Sequence, residues 1–190
     1  SQTVSRAIAT GSAPGGTGTT AGRPPRPAGP PAGPTAGPSS RGAAGAPPPA
    51  AVAAAGRLGA GAVTVVARRP AAVEELRPVA RAVGVEMRAA AWGDDAATHL
   101  GADVVISTVP KGVADPLAVA ADWRPETVLF DALYDPWPTP LAASAEAAGC
   151  RIVSGLDLLL AQAVGQFEHF TGVTAPRAAM AEALAAARAI

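Results

Sequence analysis

This 190-residue chain has no asparagine, a single lysine (Lys111), a single cysteine (Cys150), two histidines (His99 and His169) and only 4% aromatic residues. One cysteine cannot form an intramolecular disulfide, which fits a reducing compartment. Two histidines beside one cysteine give no ligand cluster, so no metal site is expected. Basic and acidic residues balance at 15 each, which excludes the long-range positive field of a nucleic-acid binder. No run approaches the roughly 20 apolar residues that span a bilayer. Ser1 to Thr20 also lacks the basic start and apolar stretch of a secretory signal. These absences predict a cytoplasmic protein that handles a small molecule and touches neither nucleic acid nor membrane.

What is abundant divides the chain in two. From Ser1 to about Pro49 the only large aliphatic residues are Val4 and Ile8, with no aromatic and no carboxylate. Proline runs such as Gly22-Arg23-Pro24-Pro25-Arg26-Pro27 remove backbone donors, and the glycines between them add chain entropy. Residues 1–49 are therefore expected to be a disordered Gly/Pro/Ala-rich segment. Its prolines suit a polyproline II ligand for a partner domain. After Ala50, β-branched runs alternate with alanine-rich helical stretches, the pattern of an α/β domain over residues 50–190.

Within that domain, Ala62 to Ala67 reads as a strand buried on both faces. Pro70 starts a helix with Val73, Leu76, Ala80 and Val83 on one face, and Pro78 kinks or shortens it. Further strands are expected at Val85 to Met87, Asp103 to Thr108, Thr127 to Asp131 and Arg151 to Val153. Helices are expected at Asp95 to Leu100 and from Pro140 to Ala148. Ser154 and Asp157 can cap a long helix from Leu156 to Phe170 reciprocally, and a last helix covers Ala175 to Ile190. Cys150 reads as a small buried hydrophobe, and both histidines as surface or satisfied residues.

Three clusters, in this order, resemble shikimate dehydrogenase. Val63 to Pro70 is similar to that family's second nucleotide-domain strand, which ends in an arginine-bearing motif at the 2′-phosphate of NADP. Ala102 to Gly112 resembles the strand and loop beside the nicotinamide ribose. Phe130 to Leu141, with Gly155 to Phe167, resembles the family's Tyr-Pro-Thr-Pro-Leu loop and glutamine-bearing helix. The resemblance covers roughly Gly59 to Val173. It implies NADP as cofactor, bound by Arg68, Arg69, Ser107, Thr108, Pro110, Asp131 and Gly155. Tyr134 and Gln162 are implied as contacts to the hydroxylated substrate, shikimate or 3-dehydroshikimate, with quinate or an amino analogue as close variants. Independently of the family, ligands of a doubly wound sheet bind beyond the carboxyl ends of its strands, and Arg68, Ser107, Thr108 and Asp131 fall at such ends. A guanidinium there suits a phosphate, where NAD sites place a carboxylate.

The same resemblance shows what to expect missing. The family's other domain carries the catalytic lysine, its paired aspartate and a Ser-x-Ser motif, and none can be placed here, so no catalytic residue is assigned. Lys111 does not stand in the context of the catalytic lysine. The Rossmann-like sheet itself is expected to be incomplete, since no apolar strand with a Gly-rich turn precedes Ala50. Gly59-Ala60-Gly61 sits at a helix-to-strand turn, where it cannot aim a helix N-terminus at a pyrophosphate. Translation out of frame up to about Pro49 would explain both losses, and the gene upstream of Ala50 would reveal it. The contrasting reading is a non-catalytic nucleotide-binding or interaction module with a proline-rich arm. Oligomeric state is not legible.

Overall fold

A computed structural model describes residues 6–10 and 48–188. The elements run β1 Arg6–Thr10, α1 Pro48–Arg57, β2 Ala62–Ala67, α2 Pro70–Glu74, α3 Arg77–Ala82 and β3 Glu86–Ala91. A 3-10 helix Asp94–His99 follows, then β4 Val104–Ser107, α4 Asp115–Ala120, β5 Val128–Asp131, α5 Pro140–Ala147, β6 Arg151–Ser154, α6 Gly155–Thr171 and α7 Arg177–Arg188. All strand pairs are parallel, and the order across the sheet is β3-β2-β1-β4-β5-β6. That is the doubly wound α/β order in which dinucleotides bind where the winding reverses, beside β1. Among the described residues no helix is long and apolar enough to cross a membrane.

The sheet corrects one expectation. It does not lack its central strand: Arg6–Thr10 pairs with β2 on one side and β4 on the other. The strand lies far ahead of the helix at Ala50, with residues 11–47 between them, rather than directly before it. Pairing on both edges also explains how so plain a segment joins the sheet. The main chain of a central strand satisfies two rows of buried donors and acceptors whatever its side chains are. The expectations of a disordered proline-rich segment and of an absent Gly-rich loop fall on residues 1–5 and 11–47, outside the described residues. In sequence, β1 is followed at once by Gly11, then Gly15 and Gly16.

Two apolar layers hold the sheet. On one face Val52 and Ala55 of α1 join Val73, Leu76 and Ala80 against Val63 and Val65 of β2. On the other, Leu100, Leu117, Leu141, Ala142 and Ala145 cover Val66, Val105 and Leu129. Each strand thus sends alternate residues to alternate layers, which is why these strands read as near-continuous apolar runs. Pro78 stands in the first turn of α3, where its missing N–H costs no helical bond. It opens a second short helix rather than kinking one continuous helix. Helix α4 was not anticipated, although Asp115-Pro116 is an acidic and proline start of the usual kind.

Candidate functional site

The register aligns four polar residues at the carboxyl end of the sheet. Thr10 pairs with Ser107, Ser107 with Asp131, and Asp131 with Ser154. Parallel partners share a face, so Ser107, Asp131 and Ser154 look toward the layer that holds α5. All three are buried, at 2%, 1% and 4% exposure. A row of polar groups this deep must be satisfied from within the chain.

Asp131 organises the row. Thr139 Oγ1 donates to Asp131 Oδ2 at 2.7 Å, and Leu133 N donates to Oδ1 at 3.2 Å. Thr139 is itself the N-cap of α5, its hydroxyl oxygen accepting from Ala142 N at 3.0 Å, with Pro140 in the first turn. The carboxylate therefore fixes both the loop that leaves β5 and the start of the next helix. Burial pushes the Asp131 carboxyl above its ordinary pKa, and the Thr139 hydroxyl, the Leu133 amide and the nearby Ser107 hydroxyl pull the other way. Ser107 Oγ has no hydrogen bond of ordinary geometry among the described residues.

The loop from Asp131 carries Tyr134 back over the start of α6. A Cβ built on Gly155 would lie 2.1 Å from Ala132 O and 3.0 Å from Tyr134 Cδ1. Only glycine allows this approach. Helix α6 begins with the reciprocal cap expected from sequence: Asp157 N donates to Ser154 Oγ at 3.4 Å, and Ser154 N donates to Asp157 Oδ2 at 2.7 Å. It ends at Gly172, whose φ of 67° is left-handed. Gly155, Leu159 and Gln162 stand four and seven positions apart, which puts them on one face of the helix. Tyr134, Leu159 and Gln162 are exposed. The structure thus brings Tyr134 against Gly155, with Gln162 about two turns further along the same face of α6.

Arg68 and Arg69 lie elsewhere on the same edge. They follow directly on β2, are exposed, and form no salt bridge among the described residues. Four strand spacings separate β2 from β6, about 19 Å at roughly 4.8 Å each. Thr108 and Pro110 leave β4 between these ends, and Pro110 O accepts from Val113 N at 3.1 Å to turn the loop that bears Lys111. Thr139 is the residue the motif reading passed over. A threonine immediately before the proline of a helix start was the available signal. Cys150 is buried, its thiol donating to Arg124 O at 3.2 Å and its pKa raised by burial. Among the described residues no group of three His, Cys, Asp or Glu side chains could hold a metal ion.

Comparison with known proteins gives this edge a context. The profile of a family described as "Shikimate 5'-dehydrogenase C-terminal domain" matches residues 155–185. The chain is 39% identical over 92 residues to the shikimate dehydrogenase (NADP(+)) of Desulfitobacterium hafniense, covering 47% of this chain and 33% of that protein. It is 35% identical over 145 residues to that of Citrifermentans bemidjiense, covering 72% of this chain and 49% of the relative. Among solved structures, Mycobacterium tuberculosis shikimate dehydrogenase superposes with a TM-score of 0.69 at 36% identity, over 93% of this chain and 56% of that one. The chain therefore spans between a third and about half of the curated relatives named. In sequence and in fold this chain is similar to the C-terminal part of the shikimate dehydrogenases.

Proposed function

We propose that this chain is the NADP-binding part of a shikimate dehydrogenase, an oxidoreductase that interconverts 3-dehydroshikimate and shikimate. The observation that carries the reading is the single carboxyl edge with Arg68 free at one end and, at the other, Tyr134 against Gly155 and Gln162 further along the same face of α6. Arg68, with Arg69 beside it, holds the 2′-phosphate through the guanidinium fork. Ser107, Thr108 and Pro110 line the middle of the edge, and Asp131 keeps the loop and α5 in place from below. Gly155 lets the backbone of the loop after β5 close against the start of α6, which sets where Tyr134 stands. Tyr134 and Gln162 present a hydroxyl and an amide to a polyhydroxylated substrate. The nicotinamide, when bound, supplies or accepts the hydride.

Isothermal calorimetry with NADP⁺ and NAD⁺ tests the arginine assignment. Arg68→Ala is expected to weaken NADP⁺ by about tenfold or more while leaving NAD⁺ within about threefold, as loss of one charged hydrogen-bonding partner to a phosphate requires. Equal effects on the two dinucleotides would remove Arg68 from the phosphate site.

The chain alone is proposed to be inactive. Reduction needs a group that delivers a proton to the substrate oxygen as hydride arrives, and such help is worth roughly 100- to 10,000-fold. The only lysine, Lys111, sits on the exposed turn after β4, and no partner for it is assigned. Shikimate oxidation followed by NADPH absorbance is expected to stay at background, and clear turnover by this chain would refute the proposal of inactivity.

A further inference from the structure

The outer part of the sheet on the α5 side carries a feature that the dinucleotide edge does not use. Thr64 of β2 pairs with Arg88 of β3, so both point to one face, the face on which Val66 and Ala90 two residues on belong to the apolar layer. A threonine and an arginine therefore occupy the floor where the alternation calls for core residues. The connection from β3 to β4 is a short 3-10 helix rather than a full covering helix, and among the described residues it leaves this floor open. The result is a cavity of about 290 Å³ lined by Thr64, Arg88, Thr98, His99, Gly101 and Ala102, among others, with no carboxylate among the described residues of the lining.

The donors around it are available. Arg88 Nε donates to Glu86 Oε1 at 2.9 Å, and this ion pair leaves the two terminal nitrogens of the guanidinium. The side chains of Thr64 and His99 form no hydrogen bond among the described residues, and Thr98 Oγ1 is spent on Asp95 O at 2.6 Å. A guanidinium edge, an imidazole and a hydroxyl on one cavity whose described lining holds no acid match the needs of an oxyanion. Thr64 and Arg88 stand three residues before the strand ends, about 10 Å below the carboxyl edge at roughly 3.3 Å per residue. The cavity is thus separate from Arg68 and the dinucleotide edge.

We propose that this cavity is a second binding site, for the oxyanion of a small phosphate monoester or carboxylate. Arg88 and His99 hold the charged group, Thr64 donates from the floor, and the alanine walls accept a short carbon body. The assignment does not depend on the family's reaction and stands or falls separately from it.

Titration of the chain with inorganic phosphate, and separately with acetate, followed by ¹H–¹⁵N NMR, tests it. The expected result is saturable shifts at the Thr98, His99 and Gly101 amides and at Arg88 Nε, preserved in Arg68→Gln. In the doubly substituted Arg88→Gln, His99→Gln chain the dissociation constant is expected to rise by at least about tenfold, since the guanidinium and the imidazole donor are both lost. Arg88→Lys, which keeps the charge without the fork, is expected to fall between. Phosphate shifts without acetate shifts assign a phosphate group, and the reverse a carboxylate. Saturation by neither anion, or shifts that survive the double substitution in a chain with otherwise unmoved amides, would overturn the proposal.

Discussion

Asp131→Ala is expected to cost the domain about 3 kcal/mol, since it deletes the acceptor for two donors in a fully buried row. Thr139 Oγ1 would lose the partner it holds at 2.7 Å, and Leu133 N the one at 3.2 Å. Neither group can turn to water from that position without moving the start of α5. Chemical denaturation should show the midpoint falling with the slope unchanged, as for a local loss of stability without a change in the unfolded ensemble. A cost under about 1 kcal/mol would mean that the row is wetter than its 1% exposure implies.

The conservative variant separates charge from hydrogen bonding. Burial raises the Asp131 pKa in the folded state, so the folded protein binds the proton more tightly than the unfolded chain does. The resulting stabilisation is fully present below the unfolded value of about 3.9 and is lost as pH rises through the raised folded value. Above that window the ionised carboxylate is carried at a cost that Thr139 and Leu133 offset. Asp131→Asn has no such proton, so the advantage of the parent over this variant should be largest in acid and shrink toward neutrality. A parent advantage that grows with pH would mean that hydrogen bonding to the carboxylate outweighs its burial.

Gly155→Ala is expected to lower stability by about 3 kcal/mol and the melting temperature by roughly 6–12 °C. The added methyl would meet Ala132 O at 2.1 Å, a backbone atom that cannot swing aside. Either α6 must lift away from the loop after β5 or that loop must move, and both change how Tyr134 sits against the start of α6. Alanine's better helix propensity returns only about 1 kcal/mol. Gly165, in the middle of the same helix, is the matched control: a Cβ there meets nothing within 4 Å. Gly165→Ala should therefore raise stability by up to about 1 kcal/mol. Calorimetric melting of the two variants side by side would refute the close-approach account if both changed in the same direction.

The elements that were legible in sequence are those with a local signature. Strands β2, β4 and β5 announce themselves by short apolar runs, and α6 by Ser154 and Asp157 three residues apart. Both depend on neighbours along the chain, which is what periodicity and capping record. Strand β1 has no such signature. Ala7, Ile8 and Ala9 acquire their place from β2 and β4, partners dozens of residues away, and pairing of that kind leaves little trace in a window of ten residues. The Asp131–Thr139 bond was hidden for a similar reason. Each residue was noticeable alone, one at a strand end and one before a proline, but only the turn through Leu133 shows that they meet.

The central position of β1 also sets the order in which the sheet can be completed. Arg6 is 56 positions from its partner Ala62, and Thr10 is 97 from Ser107. Strands β2 with β3, and β4 with β5 and β6, can pair over much shorter loops. The extra closure entropy of the β1 pairings is small, about 1 kcal/mol, because that cost grows only with the logarithm of loop length. Rate is affected more than stability, since contacts distant in sequence are rewarded only after the loops have closed. Five residues thus act as a keystone: β2 with β3, and β4 with β5 and β6, belong to one sheet only through Arg6–Thr10.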